Sequence, residues 1–145
     1  MSTHIDNARW FRTAFGQPLL EDLTTGPVVH SAPIKLQALL IQEEHAEFQE
    51  AVLNFISAAT DENKHQLLKE LADLIFTVYQ FAAAFSLDID EALYRVFVSN
   101  MSKLGPDGEP IYRADGKVLK GENYKPADLT DLITNTDLIT DSDSK

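Results

Sequence analysis

The sequence predicts an all-α protein, on three observations. From residue 33 to residue 103 the apolar residues recur at steps of three and four, the period of one helical face. The runs are broken at positions 58–65 and 86–90, where Thr60, Asp61 and Asp88 stand ready to cap a following helix. The alternation expected of strands is confined to one short segment after Gly105.

The elements follow in order. Residues 3–15 form a short helix with Ile5, Ala8, Trp10, Phe11 and Phe15 on its apolar side, ended by Gly16 and Pro18. "GQPLLEDLTTGPVVHSAP" is punctuated by Pro and Gly and reads as a loop. Pro33 suits a first helical turn, with Ser31 as its cap, and predicts a helix over 33–57. A third helix is expected over 62–85 and a fourth over 89–103, stopped by Gly105 and Pro106. "IYRADGKV" then reads as a short hairpin turning at Asp115 and Gly116. The last residues repeat "DLIT" and offer little for a core, so a mobile tail is expected over 131–145, with a docking motif as the second reading.

Composition narrows the function. At 145 residues and 44% hydrophobic, the chain is long and apolar enough for one folded domain. It has no Cys, which excludes disulfides and thiolate metal sites. No apolar run approaches the ~18 residues of a membrane span, and the N-terminus shows no signal-peptide core. A net charge of -11 repels nucleic acid. Phe76, Tyr79, Phe81, Phe85, Tyr94 and Phe97 make the helices apolar on more than one side, which predicts pairing between chains.

The chemistry is expected where acids interrupt apolar stripes. Leu36, Leu40, Glu44, Glu47, Ala51 and Phe55 follow one another along one face, and so do Leu67, Glu70, Asp73 or Leu74, Thr77 and Phe81. Each acidic pair is three residues apart, ~4.5 Å along the axis. Antiparallel packing would let the pairs meet. Four carboxylates so gathered need protons or cations, and an oxygen donor set favours Mg²⁺ or Mn²⁺, with room for more than one ion. Solvated surface acids are the bland alternative; a di-iron site is disfavoured, because the sole E-x-x-H, Glu62 to His65, lies off the cluster. Glu43 and Glu50 flank the stripe.

Cations follow downstream. Asn100 and Lys103 are three apart on the fourth helix, and the arm adds Arg113, Lys117, Lys120 and Lys125 with Tyr112 and Tyr124. Metal with Lys and Arg suits a polyphosphate, and an aromatic ring suits a base. Pairing with surface acids is the equal alternative for these charges.

"EEHAEFQEAV" followed by "KELADLIF" resembles the E-E-x-x-E … E-x-x-D signature of the MazG-type all-α nucleotide pyrophosphohydrolases, whose superfamily includes dimeric dUTPases and phosphoribosyl-ATP pyrophosphohydrolases. The arm, "SNMSKLGPDGEPIYRADGKVLKGENYKPADL", is similar to the end of short phage and bacterial members, and the resemblance covers 33–129. It implies a helical bundle completed by oligomerisation, as a dimer or a dimer of dimers. The expected organisation is one domain over 1–130, with an arm at 105–130, and a flexible acidic tail over 131–145. It implies hydrolysis of a nucleoside triphosphate to the monophosphate and pyrophosphate. Glu44, Glu47, Glu70 and Asp73 match the metal ligands, with two or more Mg²⁺ or Mn²⁺ ions per site. Asn100 and Lys103 match the substrate-contacting pair, to which the arm adds Arg113, Lys117, Lys120 and Tyr124. Glu43 or Glu47 would take the proton from water. Similarity to a small phage family puts dGTP or GTP first and dCTP or dUTP second. The expected location is the cytoplasm, that of a host if the chain is phage-encoded. An acidic, non-enzymatic binding or inhibitor protein is the reading from another class; it would display its acids on the surface and gain little stability from Mg²⁺.

Overall fold

The structure, a computed structural model, describes residues 3–19 and 27–134, and only the backbone over 27–31 and at 134. It is all-α, and among the described residues no strand is formed. The helices are α1 (His4–Ala14), α2 (Pro27–Ser57), α3 (Asp61–Ala84), α4 (Ile89–Met101) and α5 (Thr130–Thr134). They fall into two compact units, Met1–Leu87 and Asp88–Lys145.

In the first unit, α3 packs against both α2 and α1. Thr3 caps α1 with a capping box, its side chain accepting from the Asp6 amide while Asp6 accepts from Thr3. Thr60 caps α3 by accepting from the Asn63 amide. Asn63 closes the α2–α3 connection by donating to the Asn54 and Ala58 carbonyls. Gly16 ends α1 with φ +62, while Gln17 N–H reaches back to the Arg12 carbonyl at 2.8 Å. Ser86 ends α3 in the same way, with φ +53 and Leu87 N–H bonded to the Ala82 carbonyl at 3.0 Å.

The core of this unit is built from small residues. Ala8, Ala51, Ala82, Ala83 and Ala84 are buried with Tyr79 and Phe85, which lets the helix backbones approach closely. Phe11 meets Phe76 edge-on at 5.5 Å.

Several expectations need correction. α2 starts at Pro27, not at 33, so Pro33 lies inside it and Ser31 is no cap. An internal Pro removes one helical hydrogen bond but does not stop a helix whose later turns are packed. Trp10 is 75% exposed and Phe15 is exposed too, while Arg12 is buried instead. Arg12 donates Nε and Nη2 to the Pro18 carbonyl at 3.1 and 2.9 Å, which folds the chain back under the end of α1, and burial lowers its pKa. On α2 the buried side runs through Gln37, Leu40, Glu44 and Ala51, and Leu36 is exposed. Of the aromatic residues that make the helices apolar on more than one side, Tyr79 and Phe85 are core, whereas Tyr94 (61%) and Phe97 are exposed.

In the second unit the arm folds back along α4. Ser99 Oγ donates to the Lys125 carbonyl at 2.8 Å, and Lys125 N–H donates to Ser102 Oγ at 2.9 Å. The expected hairpin is a tight turn with one antiparallel bridge, Tyr112 to Val118; Gly116 N–H bonds to the Arg113 carbonyl and adopts φ +84. α4 ends at Met101, two residues before the expected end. The first "DLIT" forms most of α5, where Asp131 pairs with Arg95 through two hydrogen bonds. The rest of the expected tail, 135–145, lies outside the described residues.

Candidate metal centre

Glu44 and Glu47 lie on α2 and Glu70 on α3. One carboxylate oxygen from each lies within 4.8 Å of the others. The three-residue spacing on α2 and the packing of α2 on α3 create this meeting.

The three acids are not equivalent. Glu70 is only 4% exposed. Its Oε1 accepts from Gln66 Nε2 and from Lys69 Nζ, the latter at 3.0 Å, while its Oε2 is buried without a hydrogen-bond partner. Glu44 is half-buried and Glu47 is exposed. Burial pushes the Glu44 carboxyl above the usual carboxylate range, and the negative charges of Glu47, Asp73 and Glu70 push it the same way, against Lys69. Asp73 stands beside the trio rather than in it: its Oδ2 is 3.0 Å from Lys69 Nζ, and with Glu44 it borders a cavity of about 270 Å³. Lys69 bridges Asp73 and Glu70, and these bonds raise its pKa.

A hard divalent cation fits this donor set. Three carboxylates converge from two helices, and one buried oxygen has no other partner. Glu43 is exposed and outside the trio, although it adjoins Glu44 in sequence. Glu50 is likewise exposed.

The expected substrate residues belong to the second unit. Asn100 is exposed and Lys103 half-buried. Arg113 pairs with Asp115 inside the turn, and Lys120 lies 4.3 Å above the centre of the Tyr124 ring. Lys117 is exposed, its amide bonded to Asp115 at 3.2 Å.

Sequence reasoning missed two residues of the first unit, Gln37 and Gln80. Both line the 270 Å³ cavity with Glu44 and Asp73, and both are buried with an unpartnered Oε1. A signal existed. Gln37 lies seven residues before Glu44, and Gln80 seven after Asp73, two turns along the same faces.

An all-α protein whose facing helices offer three carboxylates to one point has a donor set that could hold a divalent cation. A family model described as phosphoribosyl-ATP pyrophosphohydrolase matches residues 14–100, more than half of the chain. The chain belongs to this phosphoribosyl-ATP pyrophosphohydrolase family, and the family points to a pyrophosphohydrolase. The match agrees, at the level of the superfamily, with the acidic signature. It includes Glu44, Glu47, Glu70, Asp73 and Asn100, and ends before Lys103 and the arm. No curated protein matches the chain at a significant level. Among the described residues no single helix is long and apolar enough to cross a membrane.

Proposed function

We propose that the protein hydrolyses a nucleoside triphosphate between its α and β phosphates, giving the monophosphate and pyrophosphate, with a purine triphosphate (dGTP or GTP) as the favoured substrate. The observation that carries this reading is the convergence of Glu44, Glu47 and Glu70 in a chain of a pyrophosphohydrolase family. Glu44, Glu47 and Glu70, with Asp73 beside them, would hold Mg²⁺ or Mn²⁺. When bound, the cation supplies positive charge to phosphate oxygens and acidity to water.

The chain's own groups have separate tasks. Buried Glu70, fixed by Gln66 and Lys69, is the rigid ligand, its free Oε2 the natural donor. Glu47, exposed within the trio, and Glu43, exposed outside it and so not engaged as a ligand, are the two candidate bases for the attacking water. Water oxygen bonds to the α-phosphorus, the α–β bridging bond breaks, and the electron pair leaves with pyrophosphate. The proposed role of Asn100, Lys103, Arg113, Lys117, Lys120 and Tyr124 is to serve the nucleotide: Asn100 and Lys103 on the family resemblance, the arm's cations and Tyr124 on their charge and aromatic character.

Exposed apolar residues on α2, α3 and α4, among them Leu39, Ile75, Val78 and Phe97, support a homo-oligomer, dimer or tetramer. A nucleotide substrate and the absence of Cys suit the cytoplasm.

The family's printed name favours a second reading, phosphoribosyl-ATP itself, which carries the same anhydride. The test is a panel of dGTP, GTP, dCTP, dUTP and phosphoribosyl-ATP with Mg²⁺ or Mn²⁺, separating pyrophosphate from phosphate release. Pyrophosphate from dGTP, lost in Glu70→Gln, is expected. Release from phosphoribosyl-ATP alone would reassign the substrate. No release from any of them would leave an acidic binding protein.

A further inference from the structure

The cavity beside the carboxylates has two kinds of wall. Glu44 and Asp73 border it on the acidic side. Phe11 and Phe76 contribute rings, and Gln37 and Gln80 contribute amides. Gln37 is 5% and Gln80 6% exposed, and each leaves Oε1 buried with no hydrogen-bond partner.

Two orphaned acceptors in one cavity work against stability, because a buried polar group without a partner keeps its desolvation penalty. They make sense if a ligand completes them. The sense of the Gln80 amide is set by Nε2 donating to the Ala8 carbonyl at 3.5 Å, which leaves the oxygen as its free end. The ligand must therefore donate. Terminal glutamine torsions are soft, so the Gln37 oxygen can turn toward a donor at little cost, while the Gln80 oxygen is held by its amide's bond to Ala8. Aromatic walls favour a flat ring. A flat ring carrying N–H donors, next to acids that suit a metal and phosphate, is a nucleobase. At about 270 Å³ the cavity is smaller than those that enclose a whole drug-sized ligand, ~300–1,000 Å³, so it takes the base and leaves sugar and phosphates at the acidic side.

Two acceptors on the walls of one cavity distinguish among bases. Adenine and cytosine offer one exocyclic amine on their pairing edge, and uracil one ring N–H. Guanine alone among these offers two adjacent donors, the ring N1–H and the 2-amino group. We propose that this cavity is the base subsite and that Gln37 and Gln80 are specificity-determining residues that read guanine through those two donors. This deepens the hydrolase reading and rests on it for the placement of the phosphates.

The test uses binding without metal, so it does not depend on turnover. The full chain in EDTA is titrated with dGMP, dIMP (which lacks the 2-amino group), dAMP and dCMP by calorimetry at millimolar ligand. dGMP should bind tightest, with dIMP about tenfold weaker for its lost hydrogen bond. Gln37→Met and Gln80→Met, which keep the shape and remove the amide, should each weaken dGMP about tenfold, and one of them should abolish the dGMP preference over dIMP. The melting temperature of metal-free Gln37→Met should hold or rise, since an orphaned acceptor is gone; a purely structural glutamine would lower it. Wild-type protein that ranks dGMP no better than dIMP and dAMP overturns the proposal, and that ranking decides even if a variant fails to fold. Variants that bind dGMP as wild type also overturn it. Pyrophosphate release from dGTP is read separately. Selective binding without release sinks the hydrolase and leaves the base subsite; release with unselective binding does the reverse.

Discussion

Lys69 Nζ lies 3.0 Å from Asp73 Oδ2, one turn further along α3. The same nitrogen is 3.0 Å from Glu70 Oε1, so one lysine serves two carboxylates at the candidate metal centre. Lys69 and Asp73 are both about half exposed, so that pair adds little to stability, whereas Glu70 is buried and depends on Lys69 for compensating charge. The effect of both contacts is electrostatic: Lys69 supplies part of the positive charge that a cation would bring. Removing it in Lys69→Met should lower the melting temperature of metal-free protein and enlarge the stabilisation produced by Mg²⁺ or Mn²⁺. Thermal melts at rising metal concentration check this. An equal metal-induced shift in variant and wild type would place the ion elsewhere.

Glu44 gives a pH signature. Its folded-state pKa is raised, by burial first and then by neighbouring acids. For a carboxyl raised on folding, the ionised form opposes the fold. The penalty is full above the folded pKa and fades as pH falls through it toward the ordinary glutamate range. Glu44→Gln should therefore raise the melting temperature of metal-free protein at neutral pH, and the gain should shrink on acidification. With saturating metal the sign should reverse, because the variant loses a ligand. Melts across pH, with EDTA and with Mn²⁺, show both arms.

The helices were legible because their period survives in the chain, and the E-x-x-E spacing put Glu44 and Glu47 on the face of α2 that meets Glu70 of α3. What sequence obscured has physical causes. Pro33 looks like a helix start because its local preference for a first turn is strong, yet α2 runs through it. Spacing fixes only the face, so it did not reveal that Lys69 lies between Asp73 and Glu70 and holds both. Gln37 and Gln80 passed as ordinary polar residues because burial of an amide depends on the partner helix, which periodicity on one helix does not record.

Gly121 is a packing requirement in the second unit. Its N–H donates to the Lys103 carbonyl at 2.9 Å, and a Cβ placed there would lie 2.5 Å from the Leu104 carbonyl oxygen. The obstacle is backbone, which cannot swing aside. Gly121→Ala should cost about 1–3 kcal/mol, the range for overpacking, and displace the segment holding Lys103. If Lys103 serves the nucleotide, the KM for the triphosphate should rise more than kcat falls. Chemical denaturation and steady-state kinetics measure the two effects.

Ser86 tests the end of α3. Leu87 N–H bonds back to the Ala82 carbonyl at 3.0 Å, and Ser86 between them has φ +53. At the matching position after α1 the chain uses Gly16, φ +62, with the same backward bond from Gln17 to Arg12. A side chain in the left-handed region brings Cβ close to the carbonyl oxygen and costs about 1–2 kcal/mol, which glycine avoids. Glycine also adds freedom to the unfolded chain, which gives back part of that gain. Ser86→Gly should thus be more stable than Ser86→Ala by about 0.5–1 kcal/mol. The comparison uses alanine because both variants lose the hydroxyl, so its contacts cancel and only the backbone term remains. Urea denaturation of the two variants measures the difference. An alanine variant as stable as the glycine one would show that the turn after α3 relaxes out of the left-handed conformation at no cost.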